Sequence, residues 1–365
     1  MRVETLIEQG IHLTTLPDQD GKIISPLEYC QLISQLAEES PSIALSISMH
    51  LYTIWGLQYL MNEEQKQKYF EKVKKENLLF SSLNEPGLYF VTEQRFNKEE
   101  YPIVADKSSN GFIVNGIKKY VSLEPYVRYL PLYCLVQGYQ GPGLGIALII
   151  VDKQAPGVTV HSDWTTISMK DTYSNTISLD GVKVEPDQVI CNPGEALEKT
   201  ELLGYLFRLS ISSVYYGIAK KAVDIVTENS KNKKVPHTNS KLGSFPGVQF
   251  SLSEMLILQE TAYSQIRFLC ELLNEYLNVG ASFSNNTRLN ASSLITKEYV
   301  TKSAEEIVNK AMKIAGVGSL YEENILSGLY QDVKAGRFHP PQTDVILEIL
   351  AKQRLGIISL RSRWL

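Results

Sequence analysis

Near the C-terminus, Gly336-Arg337-Phe338-His339-Pro340-Pro341-Gln342-Thr343-Asp344 sets one histidine directly ahead of two prolines, between two segments of helical pattern. An imidazole titrates near neutral pH and can both give and take a proton, so a histidine held in place is a candidate for proton transfer. The prolines would do the holding. They fix φ and push the preceding residue out of helical space, which predicts an extended loop at His339 followed by a helix capped by Thr343 or Asp344. Taken alone, the stretch reads more plainly as a helix-to-helix connection with an exposed histidine. Arg208, inside a long helical segment, is a second candidate. Its guanidinium can face an anion or a developing oxyanion, or it can make an interhelical salt bridge, and the two readings balance. Asp344 and Glu348 read as solvent-facing caps or helix charges.

These residues must be positioned by three blocks of different period. Residues 1–77 are helical in pattern. A short helix spans Leu6 to Gly10, and Ser25-Pro26-Leu27-Glu28 opens a helix with a cap and an early proline. Ile43 to Met61 carries no polar face and so predicts burial among neighbours, and Asn62-Glu63-Glu64-Gln65 has the form of a capping box. The period changes at Asn77. Residues 78–192 hold short apolar or alternating runs separated by Asn-Gly-type turns, among them 111–116, 130–136 and 145–151, which predicts a β domain built as a barrel or sandwich. Residues 193–365 return to helical spacing, with long helices over Glu198 to Asn229, Val248 to Leu277 and Leu289 to Ala315. The expected fold class is therefore α+β and multidomain: an N-terminal helical domain, a central β domain and a C-terminal bundle of four-helix type.

Composition narrows the function. Thirty-six Lys and Arg against forty Asp and Glu give a net charge of -4 with no large basic cluster, which argues against a nucleic-acid partner. Cys30, Cys134, Cys191 and Cys270 are far apart and form no CxxC pair, so no metal site or disulfide framework is indicated and a reducing cytoplasm fits. No apolar run reaches the length of a membrane span, and the acidic N-terminal stretch with Glu4 and Glu8 does not read as a signal peptide.

Several short stretches, in order, resemble the acyl-CoA dehydrogenase family. Leu83-Asn84-Glu85-Pro86-Gly87 is similar to the family's Leu-Thr-Glu-Pro-Gly, and Asn115-Gly116-Ile117-Lys118-Lys119-Tyr120-Val121-Ser122 to its Asn-Gly-x-Lys-x-Trp/Tyr-Ile-Thr strand. Ala155-Pro156-Gly157-Val158, Gly217-Ile218-Ala219-Lys220-Lys221-Ala222 and Ala311-Met312-Lys313-Ile314-Ala315-Gly316 resemble further landmarks, so the likeness covers nearly the whole chain. It implies the three-part fold of that family, with a flavin between the β domain and the C-terminal helices. It also implies that Phe80, Leu83, Asn84, Tyr120 and Ser122 line the flavin. The cofactor would be FAD, the substrate a small acyl thioester or related molecule, and the assembly a homodimer or homotetramer in which a neighbouring subunit completes the diphosphate site.

The departures from the pattern define the alternatives. The loop after Gly87 is the bulky Leu88-Tyr89-Phe90-Val91, with no glycine to admit a phosphate. The diphosphate arginine falls on Lys233, which keeps the charge and loses the bidentate fork. The adenosine-side glutamine falls on Lys313, beside Gly316, and the second glycine on Val317. FMN in place of FAD, or loss of flavin, is therefore an open expectation. The family's catalytic glutamate falls on Pro340, and its alternative home, one residue before Arg208, is Phe207; neither can act as a base. His339 adjoins the first vacant position, and monooxygenases of the same fold use a histidine in this loop. Three readings follow: a flavin oxidoreductase acting on an acyl thioester, a flavin-dependent monooxygenase or oxidase using His339, and a non-enzymatic binding protein.

Overall fold

The computed structural model describes residues 2–85, 87–88 and 96–357. Pro86 and Tyr89-Phe90-Val91, singled out above, lie outside the described residues. Four helices come first: α1 (Val3–Glu8), α2 (Pro26–Glu39), α3 (Pro41–Leu57) and α4 (Glu63–Glu76). Eight strands follow: β1 (Leu79–Phe80), β2 (Ile103–Ser108), β3 (Gly111–Val121), β4 (Val127–Val136), β5 (Ile146–Asp152), β6 (Val158–His161), β7 (Asn175–Val184) and β8 (Val189–Cys191). The chain then returns to helix with α5 (Ala196–Lys199), α6 (Glu201–Asn232), α7 (Pro246–Val279), α8 (Phe283–Ala315), α9 (Ile325–Val333) and α10 (Thr343–Arg354).

The helix starts follow their capping chemistry. Ser25 and Glu28 exchange side-chain and backbone hydrogen bonds at the head of α2, and Asn62 and Gln65 do so at α4. α8 begins six residues before the expected Leu289. Ser282 and Asn285 form a capping box there, so the Asn/Ser cluster that reads as a turn is the helix start itself. At α10 the cap differs from expectation. Gln342 occupies the N-cap without a side-chain bond, because the Thr343 hydroxyl donates instead to the Glu298 carboxylate on α8 at 2.9 Å. The loop before it is a 3-10 turn, Lys334–Arg337, and a bend at His339, tighter than the extended conformation expected.

The strands form one mixed sheet in the order β6-β7-β3-β2-β4-β5-β8, with β1 parallel to β4. Most neighbours are antiparallel, and β2 pairs with β4 in parallel. β4 and β5 are buried along nearly their whole length, which is why they read as unbroken apolar runs. β7, between β3 and the edge strand β6, instead alternates between buried and more exposed positions over much of its length.

All seventeen residues of α3 are buried, as its missing polar face predicts. α6 is buried without interruption from Glu201 to Ala219. Its serines solve the polar problem locally: Ser210, Ser212 and Ser213 donate to the carbonyls four residues back. Gly217 is required by contact, since a Cβ there would stand 2.3 Å from the Ser34 carbonyl oxygen of α2.

Phe80 belongs to this core. Its ring packs 5.0 Å from Tyr129 and 6.0 Å from Tyr69, and its N–H donates to Nδ1 of buried His50 at 3.0 Å. His50 Nε2 lies 3.0 Å from the His12 carbonyl oxygen, so the neutral ring accepts at one nitrogen and donates at the other. Burial lowers the His50 pKa to about 3, with the His12 carbonyl opposing the shift. Because that value lies below the unfolded one of about 6.5, the unfolded chain takes up the proton first. The stabilisation is full above pH 6.5 and is lost as the pH falls towards 3. In urea unfolding between pH 7 and pH 4.5, His50→Gln should flatten the wild-type loss of stability by about 1.4 kcal/mol per pH unit; parallel curves for the two proteins would contradict this.

Candidate active site

A cavity of about 440 Å³ opens between the strands, α3, α6 and the loop that carries His339. Leu45 and Met49 of α3, Phe207 of α6 and Phe338 supply an apolar wall. Opposite it, hydroxyls form a chain: Ser122 Oγ lies 2.9 Å from Ser174 Oγ, which lies 2.9 Å from Thr172 Oγ1. Thr172 in turn donates to the Met169 carbonyl. Among the described residues, no aspartate or glutamate lines the cavity.

Local backbone chemistry sets these groups. Tyr120 has a φ of 63°, an uncommon value for a large residue and a kind of strain that gathers at functional positions. Its ring is half exposed and meets Trp164 edge-on at 6.4 Å. Two residues on, the Ser122 N–H bonds the Tyr120 carbonyl, so this kink fixes where the Ser122 hydroxyl points. The segment 168–172 is tied from both sides. Leu123 donates its N–H to the Thr172 carbonyl at 2.8 Å, while Asp332 of α9 accepts the Met169 N–H at 2.6 Å. Burial raises the Asp332 pKa, and the Met169 bond opposes it.

Asn84 is held by the motif in which it sits. Lys118 of β3, nearly fully buried, donates to the Asn84 carbonyl and lies 3.5 Å from the Glu85 carboxylate. A buried ammonium needs such partners, and here they fasten the segment after β1 to β3. Leu83 donates its N–H to Tyr52 Oη at 3.1 Å, and the Tyr52 ring meets Phe207 edge-on at 5.5 Å.

The structure therefore brings Asn84, Tyr120, Ser122 and His339 to one cavity. Phe80 and Leu83 are core residues behind it. Arg208 is 1% exposed and does not line it. Its Nε donates to Ser293 Oγ at 2.8 Å and its Nη2 to Asn290 Oδ1 at 3.0 Å, and its guanidinium lies 5.2 Å from the Tyr205 ring centre. These bonds tie α6 to α8 through amide and hydroxyl groups, where an interhelical salt bridge was the alternative expectation. Lys233, Lys313 and Gly316 are exposed and lie outside this cavity. Asp344 and Glu348 are exposed on α10. Sequence reasoning missed Thr172, Ser174 and Trp164. Small hydroxyl residues in an irregular segment carry no periodic signal, though a tryptophan in a polar loop was a usable one.

His339 is half-buried, and its Nε2 lies 3.0 Å from Oη of buried Tyr215 on α6. Beneath the loop, Lys297 of α8 is fully buried and donates to the Pro341 carbonyl at 3.1 Å. Burial lowers the Lys297 pKa to about 8; Glu298 opposes the shift and Arg208 adds to it. Burial, followed by the Lys297 charge, lowers the His339 pKa to about 3, so the ring is neutral at physiological pH. Removing the ammonium with Lys297→Met should raise the His339 pKa, read from the titration of its ring C–H signals by NMR. An unchanged or lower value would contradict this electrostatic account.

This order of helical, strand and helical domains matches known proteins along most of the chain. The model of the acyl-CoA dehydrogenase N-terminal domain matches residues 2–76, and that of the acyl-CoA dehydrogenase C-terminal domain matches residues 205–355, together more than half of the chain. The chain belongs to the acyl-CoA dehydrogenase family. YdbM of Bacillus subtilis (strain 168) is 24% identical over 96% of this chain and 88% of its own length. Dibenzothiophene monooxygenase of Mycolicibacterium goodii is 22% identical over 87% of this chain and 78% of its own length. Among solved structures, TdsC from Paenibacillus sp. A11-2, in complex with FMN and indole, superposes with a TM-score of 0.87 at 16% identity, covering 99% of this chain and 92% of TdsC.

Proposed function

We propose that this protein is a flavin-dependent oxidoreductase of the monooxygenase or oxidase type, acting on a small, largely apolar organic molecule, with His339 as the hydrogen-bond donor to the reacting oxygen. The observation that carries this reading is the cavity wall itself. α,β-Dehydrogenation of an acyl thioester requires a carboxylate within reach of the α-carbon. Here Pro340 and Phe207 stand at the two positions where the resemblance puts it, and among the described residues the one imidazole lining the cavity is that of His339.

The residues present suit a flavin ring. The hydroxyl chain Ser122, Ser174 and Thr172 offers donors and acceptors to a polar ring edge, while Leu45, Met49 and Phe207 cover an apolar face. When bound, the flavin supplies the electron transfer and the reaction with oxygen. The chain's own part is to orient the substrate against the apolar wall, keep water out and donate a hydrogen bond from the neutral imidazole to an oxygen that gains negative charge. FMN is the simpler cofactor for this site. An FAD diphosphate would need positive groups, and the position assigned to it, Lys233, lies exposed outside the cavity, as does the adenosine-side position Lys313, so a second copy of the chain would have to complete the site. Exposed Val317, Leu320, Tyr321 and Ile325 near Gly316 give such a copy an apolar surface to cover.

Purified protein incubated with FMN or FAD should show a bound-flavin absorbance spectrum. It should consume oxygen when reduced flavin and a substrate are supplied, and it should not bleach anaerobically with acyl-CoA. His339→Ala should keep the flavin spectrum and lose at least tenfold in oxygen-coupled turnover, within the usual range for removal of a hydrogen-bond donor to a developing oxyanion. A protein that stays colourless with both flavins, or that bleaches with acyl-CoA, would sink this reading.

A further inference from the structure

We infer that Tyr215 is a positioning residue that fixes the tautomer of His339, so that the imidazole presents an Nδ1–H donor to the cavity. What that donor acts upon rests on the function proposed above. The tautomer does not; it is a property of this chain.

The argument is one of hydrogen-bond satisfaction. Tyr215 is completely buried on α6, and its Oη lies 3.0 Å from His339 Nε2, the rings meeting edge-on with centres 5.6 Å apart. His339 is the only hydrogen-bond partner of this hydroxyl among the described residues. A phenol proton in the interior needs an acceptor, and Nε2 can accept it only through its lone pair. That places the ring hydrogen on Nδ1. The reverse arrangement, with Nε2–H donating to Oη, would leave the tyrosine proton in a dry interior with nothing to receive it. Nδ1 makes no hydrogen bond within the described chain, so it is the nitrogen left for a ligand.

Both partners keep the protons this scheme assigns them. Burial raises the Tyr215 pKa well above its ordinary value, so the hydroxyl does not ionise. Lys297 from α8 acts on His339 and Asp332 from α9 acts on Tyr215, while Arg208 from α6 acts on Lys297. Lys297, the one that acts on His339, opposes an imidazolium. The loop is also held rigidly against the tyrosine. A Cβ on Gly336 would stand 2.9 Å from the Tyr215 ring, and Lys297 grips the Pro341 carbonyl two residues beyond His339. The cavity therefore receives a hydrogen-bond donor, suited to an oxygen that gains negative charge, and no base for removing a proton from carbon.

Protein carrying 15N-histidine, examined by magic-angle-spinning NMR and assigned by comparison with His339→Gln, reads the tautomer directly. The expected wild-type signals are a protonated, pyrrole-type Nδ1 and an unprotonated, pyridine-type Nε2. Tyr215→Phe keeps the ring and removes only the hydroxyl; it should convert these signals to a mixture or to the reverse, and lower kcat with little change in the affinity for flavin. A protonated Nε2 in the wild type, or identical signals in Tyr215→Phe, would overturn the inference. Should the wild-type pattern appear while oxygen-coupled turnover is absent, the tautomer assignment stands and the proposed function fails.

Discussion

The constraint on which the rest depends is that α6 must be buried on every side. From Glu201 to Ala219 no residue reaches solvent, and the helix packs on α2, α3, α7, α8 and α9. A helix in that position has little tolerance for unmet polarity, and the polar side chains of its continuously buried stretch find defined partners. Ser210, Ser212 and Ser213 turn to their own helix, and Arg208 spans to Asn290 and Ser293 on α8. Tyr215 has His339. The loop that borders the cavity is thus registered against the most rigid element of the molecule.

The electrostatics of the site follow from the same burial. Arg208 and Lys297 are two buried cations, the first bonded to Asn290 and Ser293 and the second to the Pro341 carbonyl of the His339 loop. Burial and the Lys297 charge keep His339 neutral, and among the described residues no carboxylate lines the cavity. Negative charge developing on a ligand oxygen would be favoured there. The two positions where the resemblance puts the family's glutamate hold Phe207 and Pro340.

Much of the fold was legible because its signals are local. The apolar α3, the capping boxes at α2 and α4, and the unbroken apolar runs of β4 and β5 each carry their reason within a few residues. The cavity was legible only where a motif marked it, at Asn84, Tyr120, Ser122 and His339. Phe80 fell into the core because a two-residue strand beside His50 turns it inward, and nothing in its type separates the two fates. Thr172 and Ser174 come from an irregular segment whose place is set by Leu123 and Asp332, at distances along the chain that no spacing rule spans. The Tyr215 and Lys297 contacts to the His339 loop are likewise interhelical, and in the sequence both residues sit in ordinary helix positions.

The central claim is that the cavity between the Ser122 hydroxyl chain and the His339 loop is the seat of a flavin ring. A crystal structure of the protein grown with oxidised FMN, and a second with FAD, tests it most directly. The account predicts the isoalloxazine ring in this cavity, with its polar edge towards Ser122 and Ser174 and with His339 Nδ1 facing the space beside it. A ring bound elsewhere, or a cavity free of ring density at saturating flavin, would contradict it.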